Sequence, residues 1–277
     1  MAVSDISLTA GMRNNLLSLQ GTTDLINRTQ NRLSSGKKVN TPLDNPTNYF
    51  AAQAHLQRAG DLSVRKDGMA EAIQMAKSGD TGIKAITALI ESAKGVAQAA
   101  LATSSTTDRS SYSATFQTLL SQITQLASDS GYRGTNLLTG GSQTVEFGTT
   151  TNSATLQISG FTATSDGLSI ASSTATNWSD ATNGTGNINS SSAQLESALS
   201  VLRRESSKLS SNLSVVTTRQ DFTSSMINNL QTGADNLTLA DMNEEGANML
   251  MLQTRQNLGV QSLSMASQAA QSVLRLF

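Results

Sequence analysis

The chain contains no cysteine, which excludes a disulfide framework, a thiolate metal site and a cysteine nucleophile. His55 is the single histidine. With no second His beside it, neither a metal centre nor a His-based catalytic constellation is expected, and His55 reads as a helix-surface or polar-contact residue. Aromatic residues are scarce at 4% of 277, so Ala, Leu, Ile and Met must do the packing. Charged residues make up 14% and the net charge is −1, which offers no basic footprint for nucleic acid or an anionic membrane. No stretch reaches the ~18 apolar residues of a membrane span. The opening Met1-Ala2-Val3-Ser4-Asp5-Ile6 lacks the basic and apolar regions of a cleaved secretion signal. Composition alone would suggest a soluble cytoplasmic protein. No cofactor is expected, and no enzymatic activity.

What is present is helical periodicity, strongest at the two ends. Met249, Leu252, Gln256, Gly259, Leu263, Ala266, Ala270, Val273 and Phe277 recur at alternating spacings of three and four. A second stripe, Met251, Leu258, Met265, Ala269 and Leu276, lies beside it, making the apolar face too wide for a two-stranded seam. From Gln256 onward there is no acidic residue, and Arg275 is the only charge. Such a helix must be covered. The N-terminal segment repeats similarly through Met12, Leu16, Leu19, Thr23, Ile26, Gln30 and Leu33, so the two ends are expected to pair.

The first helix is predicted over about Ser7 to Leu33, closed by Gly36 as a left-handed cap. Pro42 and Pro46, the only prolines, then mark a hinge between helical regions, with Asn45 as N-cap and Pro46 in the first helical position. A long helix follows from about Thr47 to Ala102, with Leu56, Leu62, Met69, Ile73, Ile83, Ile86, Leu89, Ile90 and Leu101 as its apolar positions. Another runs to about Ser128, with Asp108 as its expected cap. Gly131-Tyr132-Arg133-Gly134 reads as a turn.

No Lys or Arg occurs between Arg133 and Arg203. The stretch 140–192 reads as a small β-rich excursion, with short strands at Val145–Phe147, Leu156–Ile158 and Leu168–Ile170. Helix resumes at Leu195 and runs to about Leu230, and Gly233 marks the break before the last helix. Asp241, Glu244 and Glu245 suit the start of that helix through its dipole rather than paired-carboxylate chemistry. The glycine pairs lack the context of a phosphate loop. The fold expected is mainly α, an antiparallel hairpin of long helices with paired terminal helices. Terminal apolar faces on such a hairpin need other copies to cover them, and a repeated contact that does not close builds a helical filament.

Arg32-Leu33-Ser34-Ser35-Gly36-Lys37-Lys38-Val39-Asn40 resembles the RLSSG segment of bacterial flagellins, with Asp44 and Ala51-Ala52 at the positions that follow it there. Gly134-Thr135-Asn136-Leu137-Leu138, Ala240–Ala247 and Ala266–Phe277 resemble further segments of that family, closest to short alphaproteobacterial flagellins. The resemblance implies a D0 coiled-coil domain from residues 1–44 and 238–277, a helical D1 domain from 45–139 and 190–237, and a β-rich outer part at 140–189. It implies a structural filament subunit for swimming, exported unfolded without a cleaved signal and residing outside the cell. The hook–filament junction protein, which shares such terminal helices, is the alternative.

The implied partners are further copies, other flagellins, the cap protein, the junction protein, an export chaperone and the type III export apparatus, with O-glycosylation of Ser/Thr in 149–192 also implied. The implied polymer seam comprises Leu16, Leu19, Ile26, Leu33, Met249, Leu252, Leu263, Ala266, Ala270, Val273 and Phe277. One segment departs from the family. Many flagellins carry a basic, apolar stretch read by the vertebrate innate receptor for flagellin, and the matching Leu89, Glu91, Lys94, Gly95 and Gln98 are degenerate, with Glu91 in place of a cation and Gly95 in place of a large apolar residue.

Overall fold

The computed structural model describes residues 10–149, 154–172 and 175–274. The order of elements is α1 (Ala10–Ser35), α2 (Pro46–Ala102), α3 (Thr106–Asp129), β1 (Ser142–Glu146), β2 (Thr155–Ser159), α4 (Ala175–Ser179), α5 (Gly184–Thr238) and α6 (Met242–Leu274). The fold is mainly α. The expected start of α1 at Ser7 lies outside the described residues.

Contacts divide the chain into two units. One holds residues up to Gln57 and from Asn229 onward, and the other runs from Arg58 to Asn228. The second unit is built on heptads. In α2, Met69, Ala72, Ala76, Gly79, Ile83, Ile86, Ile90, Ala93, Ala97 and Ala100 form one buried line at spacings of three and four. Ser113, Phe116, Leu120, Ile123 and Ala127 do the same in α3, and Ile188, Ser191, Leu195, Ala198 and Leu202 in α5, with Leu209 and Val216 following at spacings of seven. A straight helix drifts slowly from a seven-residue repeat, so these lines favour gently wound antiparallel packing. Leu56, expected on the apolar face of α2, is exposed. Alanines take positions that a search for large residues passes over.

Local chemistry sets the helix ends. Ser105, not Asp108, caps α3: its side chain accepts from the Asp108 N–H, and Asp108 sits in the first turn. Tyr132 and Thr135 exchange backbone hydrogen bonds around Arg133 and Gly134, both of positive φ, the conformation of a tight hairpin turn. Asn136 closes α3, donating from its amide to the Ala127 and Ser128 carbonyls at 2.8 and 2.9 Å while its oxygen accepts from the Leu138 N–H. That places Leu137 and Leu138 in the core.

The β excursion is smaller than expected. β1 and β2 pair antiparallel, with Val145 opposite Leu156 and Gln143 opposite Ile158, and Val145 and Ile158 buried. Leu168–Ile170 is not a strand. It forms a turn in which Ser169 takes φ +58°, while Leu168 and Ile170 themselves are buried. Helix α5 begins at Gly184 rather than Leu195 and continues through Gly233 to Thr238. Trp178, the only tryptophan, is fully buried on α4, with its ring centroid 4.9 Å from that of Phe116.

Many Ser and Thr hydroxyls on these helices donate to the carbonyl four residues earlier, among them Thr87 to Ile83, Thr115 to Ser111, Thr217 to Leu213 and Thr223 to Arg219. A hydroxyl satisfied in this way can sit on a covered helix face without an unpaired donor.

Candidate functional site: the paired terminal helices

α1 and α6 pack along one another in opposite directions. Asn15 donates from its amide to the Ser262 hydroxyl at 3.3 Å. Leu19 lies against Gly259, where an added Cβ would come within 2.7 Å of Leu19 Cδ2. Arg32 donates to Glu245 Oε1 at 2.9 Å. On α6 the covered positions are Glu245, Met249, Leu252, Gln256, Gly259, Leu263 and Ala266, the seven-residue repeat read from the sequence. The side chains of Ala270, Val273 and Phe277 lie outside the described residues.

The repeat on α1 is shifted at alternate positions. Met12, Leu19, Ile26 and Leu33 are covered as expected, but the places between them belong to Asn15, Thr22 and Thr29. Leu16, Thr23 and Gln30 are exposed, so Leu16 is not part of the seam within the chain. Thr22 fits because its hydroxyl donates to the Ser18 carbonyl, and a small satisfied side chain permits close approach. Hydrophobicity alone selects the neighbouring leucine and misses this arrangement.

The opposite faces are uncovered. Leu16, Leu17 and Leu25 on α1 are exposed, as are Leu250, Met251, Leu258, Val260 and Met265 on α6, Leu258 at 66%. Ala247, Leu250, Met251, Thr254, Arg255 and Leu258 line a shallow depression of about 460 Å³. Met251, Leu258, Met265 and Ala269 of the second apolar stripe thus lie on the outward face of α6, and Leu276 lies outside the described residues.

The joint preceding α2 follows the local chemistry of its residues. Gly36 closes α1 at φ +70°, its N–H donating to the Arg32 carbonyl. Backbone bonds from Lys38 N–H to the Thr238 carbonyl (2.7 Å) and from Ala240 N–H to the Gly36 carbonyl (3.0 Å) tie the two chain passages together. The Asn40 amide donates to the Ser35 hydroxyl. Asn45 accepts from the Asn48 N–H at 3.0 Å, with Pro46 opening α2. Leu43, between the prolines, is 96% exposed. The α5–α6 break falls at Leu239–Asp241, where Asp241 caps α6 by accepting from the Asn243 and Glu244 N–H groups. Gly233 lies inside α5, not at a break. Glu245 is nearly buried, and its Oε2 has no hydrogen-bond partner among the described residues.

Asp44 organises the joint by accepting from the Thr41 N–H at 2.9 Å, the Asn40 N–H at 3.1 Å and the Thr41 hydroxyl at 3.1 Å. These donors, the Thr41 N–H foremost, hold its carboxyl below the ordinary value of 3.8. A depressed carboxyl adds stability that is fully present above its unfolded pKa and lost as pH falls through the folded one. The Thr41 amide in the parent chain should therefore be better protected from hydrogen exchange than in Asp44→Ala at pH 6, and the two should converge as the pH falls through the lowered pKa of Asp44.

The segment from Leu89 to Gln98 lies on α2 in the second unit. Leu89 packs against the core, and Lys94 is paired with Glu196 at 2.7 Å. Glu91, Gly95 and Gln98 are exposed. No group of three or more potential metal ligands occurs among the described residues. None of their helices is long and apolar enough to cross a membrane.

Residues 6–143 match the family model of the bacterial flagellin N-terminal helical region, and residues 192–277 match that of the C-terminal helical region. The chain belongs to the bacterial flagellin family. The flagellin FljM of Caulobacter vibrioides is 30% identical over 283 residues, covering all of both chains. FljO of the same organism is 29% identical over 283 residues, again covering all of both. A flagellin of Brucella melitensis is 25% identical over 294 residues, with 95% of each chain covered. Flagellins are structural proteins that polymerise into the extracellular flagellar filament, and this chain is a filament subunit. Nothing in these matches favours the hook–filament junction alternative. The two family matches leave 144–191 between them, the stretch that holds β2 and α4.

Proposed function

We propose that the outward faces of α1 and α6 are the surfaces through which this flagellin joins neighbouring copies. The observation that carries this reading is the double stripe on α6: one apolar line is covered by α1 within the chain, while the line through Met251, Leu258 and Met265 is exposed. Each fully buried Leu or Met contributes on the order of 1.5–3 kcal/mol before ordering costs. Several such residues per copy, repeated along a polymer, supply a substantial assembly energy. Leu43 adds an apolar knob at the joint.

Family membership also supports a cap protein at the growing tip, a junction protein at the base, and a chaperone-assisted route through the type III apparatus as partners. Electron microscopy after addition of a precipitating salt tests the assembly reading. Long filaments are expected from the intact chain and none from a chain ending at Thr238, and filaments from both would refute it.

The same reading bears on the innate receptor. With Lys94 engaged by Glu196, the α2 segment presents Glu91, Gly95 and Gln98, an acid and a missing side chain where a cation and a large apolar group would be needed. Receptor-reporter cells should respond at less than about a tenth of the level given by a flagellin with the basic, apolar segment. Full-strength activation would refute this.

A further inference from the structure

We propose that Met251 and Met265 are oxidation sites that couple filament assembly to peroxide-type oxidants, in a device that acts on free copies and spares assembled ones. The proposal rests on the assembly reading above, in which a second copy covers the outward face of α6.

Without cysteine, methionine sulfur is the readily oxidised centre of the chain. Its methionines are sharply graded by burial. Met69 and Met75 lie in the helical core and Met12 is buried on α1, while Met242 at the start of α6 is 48% exposed and Met251 and Met265 are each 58% exposed. These two stand seven residues either side of Leu258, so they lie on one stripe of α6. Met251 also lines the shallow apolar depression with Leu250 and Leu258.

The chemistry is a two-electron oxygen transfer. The thioether sulfur attacks one peroxide oxygen, the O–O bond breaks, the attacked oxygen's proton passes to the departing hydroxide, which leaves as water, and an S=O bond remains. Sulfur is oxidised and peroxide reduced. The apolar side chain becomes a strong hydrogen-bond acceptor. The only donors lining the depression are those of Thr254 and Arg255, and the Thr254 hydroxyl is already committed to the Leu250 carbonyl.

On a free copy the sulfoxide is hydrated and costs nothing. Against a second copy it is stripped of water without a full set of partners, which weakens the contact. The converse is steric: a contact that covers the sulfur also keeps dissolved peroxide from reaching it, so an assembled copy is oxidised more slowly.

The test treats the full chain with hydrogen peroxide and follows oxygen addition at each methionine by peptide mass spectrometry. The critical concentration for salt-induced polymerisation is measured before and after. Conversion at Met251 and Met265 should raise it by about tenfold or more. The double variant Met251→Leu/Met265→Leu, which keeps the stripe apolar, should polymerise like the parent both before and after treatment. In preassembled filaments Met251 should oxidise several times more slowly than in monomer.

Unchanged polymerisation of the fully converted parent would overturn the proposal. So would equal inhibition of the double variant, which would place the effect at another methionine, or equal oxidation rates of Met251 in filament and monomer. Untreated chain that fails to polymerise would instead overturn the assembly reading, and this inference with it.

Discussion

Replacing Leu258 by Asp is expected to abolish filament formation while leaving the monomer folded. Leu258 is two-thirds exposed and lies away from α1, so the free chain loses no packing when the side chain changes. In the proposed polymer the same position is covered, and an unpaired carboxylate there carries a desolvation cost of several kcal/mol. A loss of about 4 kcal/mol per contact corresponds to roughly a thousandfold rise in critical concentration. Sedimentation after salt addition should leave the variant in the supernatant, with its thermal unfolding unchanged. Filaments at the parental concentration would remove the outward face of α6 from the assembly surface. Leu263→Asp makes the complementary case, because Leu263 lies on the covered face and its loss should part α6 from α1 in the monomer as well.

The second large effect is expected from Phe116→Ala. Phe116 is fully buried on the heptad line of α3 and holds the ring of Trp178 at 4.9 Å. Truncation leaves a cavity that helices fixed by their own hydrogen bonds cannot close, at a cost of about 3–5 kcal/mol. Because Trp178 is the only tryptophan, its emission reports this region alone. The denaturation midpoint followed by that emission should fall steeply, and the native spectrum should shift to the red as water reaches the indole. A midpoint within experimental error of the parent would mean that the α3–α4 packing contributes little to the core.

The sequence was most legible where one residue type has one local use. Gly36 at positive φ, Asn45 as a cap and Pro46 opening a helix are required by backbone geometry and need no knowledge of the partner. The covered line of α6 was legible for a related reason: its spacing alone defines it, even through Gln256 and Gly259. The errors share a different cause. Gly233 was expected to break a helix, yet glycine in a helix interior costs only about 1 kcal/mol, and buried neighbours such as Ala234 outweigh that. Leu168–Ile170 is too short an apolar cluster to distinguish a strand from a buried turn. The α1 seam is misplaced at Leu16, Thr23 and Gln30 because the residues before them, Asn15, Thr22 and Thr29, fill the covered positions without looking apolar. Asn15, Thr22 and Thr29 were missed, and the signal that could have found them is register: each stands seven residues from the next.

The hydroxyls bonded back along α2, α3 and α5 have a mechanical consequence. Each makes its carbonyl a shared acceptor, which loosens the main-chain bond beside it and lets a helix curve at little cost. With 14% charged residues, few ion pairs brace the helices against that curvature. A propeller built from such helices is expected to be elastic at the level of the single subunit, with copies on the inside and outside of a bend sharing the strain over many weak back-bonds.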